Sequence, residues 1–206
     1  GKWSFDNCEK HSIFISQATT PIKGLHIMLR AMPLIKKKYP DVKLYVAGAN
    51  ISAFPIYKIS SYGKYLKKLI QNQGLCENVV FTGPLVEKEM KSRFLASNVF
   101  VSSSVIENSP NSVGEAMILG VPCITSDVGG VKNMIKHEEE GFIYQTDAPY
   151  MIAYYVDKIF SMKADATLIG AKAREHALQT HDPIINGREL IEIYRKIKNE
   201  NTEDDA

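Results

Sequence analysis

Two glutamates eight residues apart, Glu107 and Glu115, bracket a short polar stretch, Asn108-Ser109-Pro110-Asn111-Ser112. Upstream, Val99-Phe100-Val101 is an apolar run of the kind that forms a buried strand. Downstream, Val113, Met117 and Ile118, then Gly120-Val121-Pro122, predict a short helix and its stop. The pair therefore flanks a strand-to-helix crossing. There, carboxylates can accept hydrogen bonds from paired hydroxyls, while the first amides of the helix hold anionic oxygens. Lys23, within Pro21-Ile22-Lys23-Gly24, stands at the start of another predicted helix. A lysine in that place can neutralise an anion without a metal, aided by the helix dipole.

Each of these residues also has a purely structural reading. Ser112-Val113-Gly114-Glu115 fits the S-x-x-E capping box, so local sequence leaves Glu115 two roles, capping or ligand binding. Glu107 taken alone is an ordinary exposed acid, and Lys23 is one of 25 Lys and Arg residues. Gly48 and Gly83-Pro84-Leu85 end neighbouring predicted strands on one edge, either as turns or as a pocket wall. Gly129-Gly130 reads as a turn ahead of a helix. His137 and His181 read as surface residues, because the five histidines show no metal-ligand spacing.

The elements that must position these groups alternate along the chain. Strands are expected at 11–16, 42–48, 79–81, 99–102, 122–125 and 141–144. Helices are expected from about Leu25 to Tyr39, with a bend or break at Pro33, and then over 62–74, 87–96, 111–119, 130–136, 150–162, 164–179 and 184–198. This alternation predicts an α/β fold, a Rossmann-like parallel sheet of about six strands covered by helices on both faces. The polar, acidic tail 199–206 is expected to be disordered.

Composition narrows the function classes. A 45% apolar share over 206 residues supports an ordinary globular core, and a formal net charge of +2 gives no reason to expect nucleic acid as a partner. Cys8, Cys76 and Cys123 are odd in number and widely spaced, which suits reduced thiols in a cytoplasmic chain rather than disulfides or zinc. No apolar run reaches membrane-spanning length. The basic residues Lys36-Lys37-Lys38, Lys58, Lys64, Lys67 and Lys68 read as solvated helix faces, with peripheral contact to anionic lipid at the inner membrane face as the alternative.

Glu-x7-Glu followed by Ala116-Met117, then Gly120-Val121-Pro122 and Val128-Gly129-Gly130, with Pro21-Ile22-Lys23-Gly24-Leu25 upstream, resembles the retaining group 1 glycosyltransferases (GT4-type) of the GT-B fold. The resemblance runs from about His11 to about Lys196 and covers only the C-terminal, donor-binding half of such an enzyme. It implies transfer of a hexose from a nucleoside diphosphate sugar to an acceptor hydroxyl, with retention and no metal or other cofactor, in polysaccharide or glycolipid assembly. Lys23 would meet the diphosphate, Glu107 the reacting sugar and Glu115 the ribose. Asn108, Ser109, Pro110, Asn111 and Ser112 would face the sugar and phosphates, and Gly48 and Leu85 would line the base pocket. The family places an arginine where Gln17 stands here, so an uncharged donor takes that position. The resemblance divides the chain into a linker remnant (1–10), a nucleotide-sugar-binding domain (11–183), a C-terminal crossover helix (184–198) and the tail. It also implies a saccharide or lipid-linked acceptor held by an N-terminal half, and an exposed apolar face at Leu190, Ile193, Tyr194 and Ile197. A non-catalytic nucleotide-binding module and a GT-B sugar-nucleotide epimerase remain alternatives.

Overall fold

The computed structural model describes residues 1–16 and 20–203. Six strands, β1 (Ser12–Ile15), β2 (Lys43–Ala47), β3 (Val79–Gly83), β4 (Val99–Ser102), β5 (Cys123–Ser126) and β6 (Phe142–Tyr144), form one sheet in the order β3-β2-β1-β4-β5-β6. All neighbours pair in parallel. Strands β1, β4 and β5 are buried along their whole length, as expected of strands covered on both faces, and so they read as continuous apolar runs rather than alternating ones.

Between and after the strands lie α1 (Leu25–Lys38), α2 (Ser61–Asn72), α3 (Glu87–Leu95), α4 (Asn111–Leu119), α5 (Val131–Met134), α6 (Pro149–Ser161), α7 (Lys163–Thr180) and α8 (Pro183–Glu203). Helix α1 packs on α2 and α6, while α4 packs on α3 and α7. Three 3-10 turns, Phe5–Asn7, Pro21–Lys23 and Ile56–Lys58, carry no strong periodic signal and are not expected from the sequence. Among the described residues, no helix is long and apolar enough to cross a membrane.

Of the bend or break expected at Pro33, the break does not occur: α1 runs through it from Leu25 to Lys38. A proline inside a helix costs on the order of 3 kcal/mol through its missing hydrogen bond and ring clash. Here Leu25, Ile27, Met28, Leu29, Ala31, Met32 and Ile35 are all buried around it, and that burial outweighs the local cost. Helix α8 likewise continues five residues past the expected end at Lys198.

The first ten residues are docked onto the domain. Trp3 is buried, its indole N–H donates to the Ser97 carbonyl at 2.8 Å, and its amide donates to the Leu119 carbonyl at 2.9 Å. Lys163 pairs with Asp6 at 2.6 Å. At the other end, Leu190, Ile193, Tyr194 and Ile197 stand exposed on α8, as the resemblance implies.

Candidate functional site

Because β1 pairs with both β2 and β4, the chain changes direction across the sheet at the β1/β4 boundary. Loops leaving the carboxyl ends of these two strands diverge to opposite faces, and a crevice opens between them. A cavity of about 750 Å³ occupies this place. Its walls come from the ends of β1 (Ile15, Ser16) and β4 (Ser102, Ser103, Ser104), from Lys23, from the 107–112 loop and α4, and from α3.

Lys23 is placed by its neighbour. Gly24 has φ +69°, and a Cβ there would overlap the carbonyl oxygen of Ser103. Only glycine lets the turn lie against the end of β4. The Ser103 hydroxyl fastens it by donating to the Gly24 carbonyl (2.9 Å) and the Lys23 carbonyl (3.2 Å). A further strand-like contact, Val105 N–H to the Ile22 carbonyl at 2.8 Å, ties the loop after β1 to the loop after β4. The Lys-Gly element is thus a close approach of two backbones that aims one ammonium into the crevice.

Glu107 is placed by the glycines that the sequence suggests are only a turn. A Cβ at Gly129, itself at φ +52°, would overlap the Glu107 carbonyl oxygen, and the Gly130 amide donates to the Asn108 carbonyl at 2.8 Å. Gly129-Gly130 therefore forms the support under the Glu107 loop. So placed, the Glu107 carboxylate meets the Lys23 ammonium at 2.6 Å, with 25% of the lysine side chain and 17% of the glutamate side chain exposed. The sequence carries no sign that these two residues, far apart in the chain, would pair.

Glu115 does not complete a capping box. Helix α4 begins two residues earlier than that motif requires, with Pro110 at the N-cap and no side-chain cap. Ser112 is then the second helical residue and Glu115 the fifth, two positions beyond the one from which a glutamate reaches back to the capping amide. Its carboxyl faces the cavity instead. Burial, and then the charge of Glu87, raise its pKa above the ordinary glutamate value. With proline at the N-cap, the amides of Asn111 and Ser112 have no intrahelical acceptor and stand at the cavity wall.

Of the residues singled out from sequence, Lys23, Leu85, Glu107, Ser109, Pro110, Asn111, Ser112 and Glu115 line this cavity. Gly48 and Asn108 do not: the Gly48 amide donates to the Gly83 carbonyl at 3.0 Å, and the Asn108 carbonyl supports the loop from below. Gln17 lies outside the described residues. Sequence reasoning missed Ser103 and Ser104, whose signal was a run of three serines at a strand end, and the α3 face of Glu87, Met90, Lys91 and Phe94. Glu87 and Glu89 look alike in sequence. Glu89 is occupied with the Val86 amide at 3.0 Å, which leaves Glu87 to the cavity.

The family model described as glycosyl transferases group 1 matches residues 2–176. The chain belongs to the group 1 glycosyltransferases. It is 28% identical over 187 residues to an uncharacterized glycosyltransferase of Methanocaldococcus jannaschii, a match covering 91% of this chain and 45% of that protein. It is 28% identical over 170 residues to a putative glycosyltransferase of Bacillus subtilis, covering 82% and 41%. The chain thus spans under half the length of these curated relatives. In fold it is similar to Anabaena HepE solved with UDP, with TM-score 0.80 at 20% identity over 91% of this chain and 49% of that one. It is also similar to the C-terminal domain of LpcC from Francisella tularensis, with TM-score 0.70 at 22% identity over 84% and 87%. The architecture is that of the C-terminal, Rossmann-like domain of a GT-B glycosyltransferase.

Proposed function

We propose that this chain is the donor-binding half of a retaining, metal-independent hexosyltransferase that takes a sugar from a nucleoside diphosphate to an acceptor hydroxyl in polysaccharide or glycolipid assembly. One observation carries the reading: Lys23, Glu107 and Glu115, from three separate segments, meet on one cavity at the carboxyl ends of β1 and β4. As the bond between the anomeric carbon and the β-phosphate breaks, negative charge grows on the departing diphosphate. Lys23 and the free first-turn amides of α4 stabilise that charge. Glu107 holds the sugar hydroxyls and faces the carbon that becomes electron-poor. Glu115 accepts hydrogen bonds from the ribose hydroxyls, and Leu85 at the end of β3 lines the base side.

What supports a nucleotide sugar as donor is that HepE was solved with UDP and with UDP-glucose. Other relatives are GDP-mannose-dependent mannosyltransferases of mycobacteria, so both uracil and guanine are candidates for the base. Acceptor binding belongs to an N-terminal half of the kind the longer relatives have room for, and this chain alone therefore transfers no sugar. A calorimetric screen of UDP, GDP and ADP, followed by their sugars, tests the reading. One nucleoside diphosphate should bind and the others should not. Absence of binding by all three, or sugar transfer by these 206 residues alone, would overturn it.

A further inference from the structure

The residues lining the cavity include three carboxylates, Glu87, Glu107 and Glu115, against two ammoniums, Lys23 and Lys91. The site is therefore net negative before any ligand arrives, and a nucleoside diphosphate brings more negative charge. Lys23 is the cation fixed at the mouths of β1 and β4, and in the structure Glu107 already holds it at 2.6 Å. The pair is built rather than incidental. Both side chains are mostly buried, and both loops are pinned, one by Gly24 on Ser103 and the other by Gly129-Gly130. The Val105–Ile22 hydrogen bond joins the two loops directly.

We propose that Glu107 makes the site select the intact sugar nucleotide over the bare nucleoside diphosphate, by competing with the diphosphate for Lys23. The inference rests on the functional reading above and adds a direction to it. A bare diphosphate can take Lys23 only by leaving Glu107 partly buried without a partner, next to phosphate charge of the same sign. An intact donor brings hexose hydroxyls, which donate to Glu107 and replace the lost ammonium. After the sugar has been transferred those hydroxyls are gone, Glu107 returns to Lys23, and the product is driven off. The same glutamate thus orients the sugar on the way in and expels the diphosphate on the way out.

Calorimetry of the parent chain and of Glu107→Gln, with UDP and UDP-glucose and then with GDP and GDP-mannose, tests this. Glu107→Gln should bind the bare diphosphate roughly three- to tenfold more tightly, the loss of one screened, part-buried charge pair. It should bind the intact donor no more tightly, so the preference between the two collapses. Glu107→Asp, whose shorter side chain cannot keep the 2.6 Å contact, should move the same way and serves if the glutamine variant folds poorly. The gain must run chiefly through the lysine: Glu107→Gln placed on Lys23→Ala should gain clearly less than Glu107→Gln placed on the parent, leaving only the relief of direct repulsion. Unchanged or weaker diphosphate binding in both Glu107 variants would overturn the inference while leaving the functional reading standing. So would a gain of undiminished size after the loss of Lys23. A parent chain that binds no nucleotide would overturn both.

Discussion

The crevice at β1 and β4 and the helix α8 treat their chemistry in opposite ways. In the crevice, polar groups are buried and matched: Ser103 and Ser104 are almost inaccessible, the Ser103 hydroxyl and the carbonyls of Ser104 and Asn108 each have a partner, and the glycines there allow backbones to touch. On α8, apolar groups are bare. Ile184, Ile191, Ile193 and Tyr194 are each more than half exposed, and nothing lies within 4 Å of where a side chain at Gly187 would begin. Helix α8 carries an apolar face of the kind that a longer protein covers. The difference separates a site built from matched groups from a helix face that the described residues leave uncovered.

The largest expected effect falls where the crevice is tightest. Gly24→Ala sets a left-handed backbone strain and a clash with the Ser103 carbonyl against a structure that cannot yield locally. It should cost about 3 kcal/mol and lower the melting temperature by roughly 6–12 °C. Gly187→Ala is its counterpart on α8. There the added methyl meets open space in a helix interior, and the change should stabilise by about 0.5–1 kcal/mol. If thermal melts moved both variants the same way, the contrast between the two regions would be false.

Glu115→Gln sharpens the same comparison from the ligand side. Burial, followed by Glu87, raises the carboxyl's pKa, so any stability it lends is present below the unfolded pKa and lost as pH rises through the folded value. At neutral pH the variant should therefore melt no lower than the parent, with the parent gaining on it only in acid. Its nucleotide affinity should fall by about 1–2 kcal/mol through the weaker acceptor. A lower melting temperature with unchanged affinity would restore a capping role. Smallest of all, Ile193→Ser with Ile197→Ser should leave the unfolding free energy of this chain within about 0.5 kcal/mol of the parent. A larger loss, dependent on protein concentration, would show that the α8 face is already covered by a second copy.

Most of the fold was legible because strands covered on both faces are written as unbroken apolar runs. Val99–Ser102 and Asn111–Leu119 were read to the residue. Pro33 misled because its local cost is set against tertiary burial that a helical pattern alone does not weigh. The residue types of the site were legible from spacing, but their relations were not. Neither the Lys23–Glu107 pair, nor the use of Gly129-Gly130 as a support, nor the division of labour between Glu87 and Glu89 leaves a periodic trace. All three depend on how loops from different strands meet at one edge of the sheet.

If the crevice holds a nucleoside diphosphate with Lys23 on its phosphates, losing that ammonium must weaken nucleotide binding. Titrating UDP and GDP into the parent and into Lys23→Ala tests it most directly, with melting curves of both proteins alongside. Lys23→Ala should lose about 1.5–3 kcal/mol of binding for whichever nucleotide the parent takes, with a melting temperature lowered by no more than roughly 2–4 °C, because the change removes one partly buried ion pair. Equal affinity in the two proteins would contradict it.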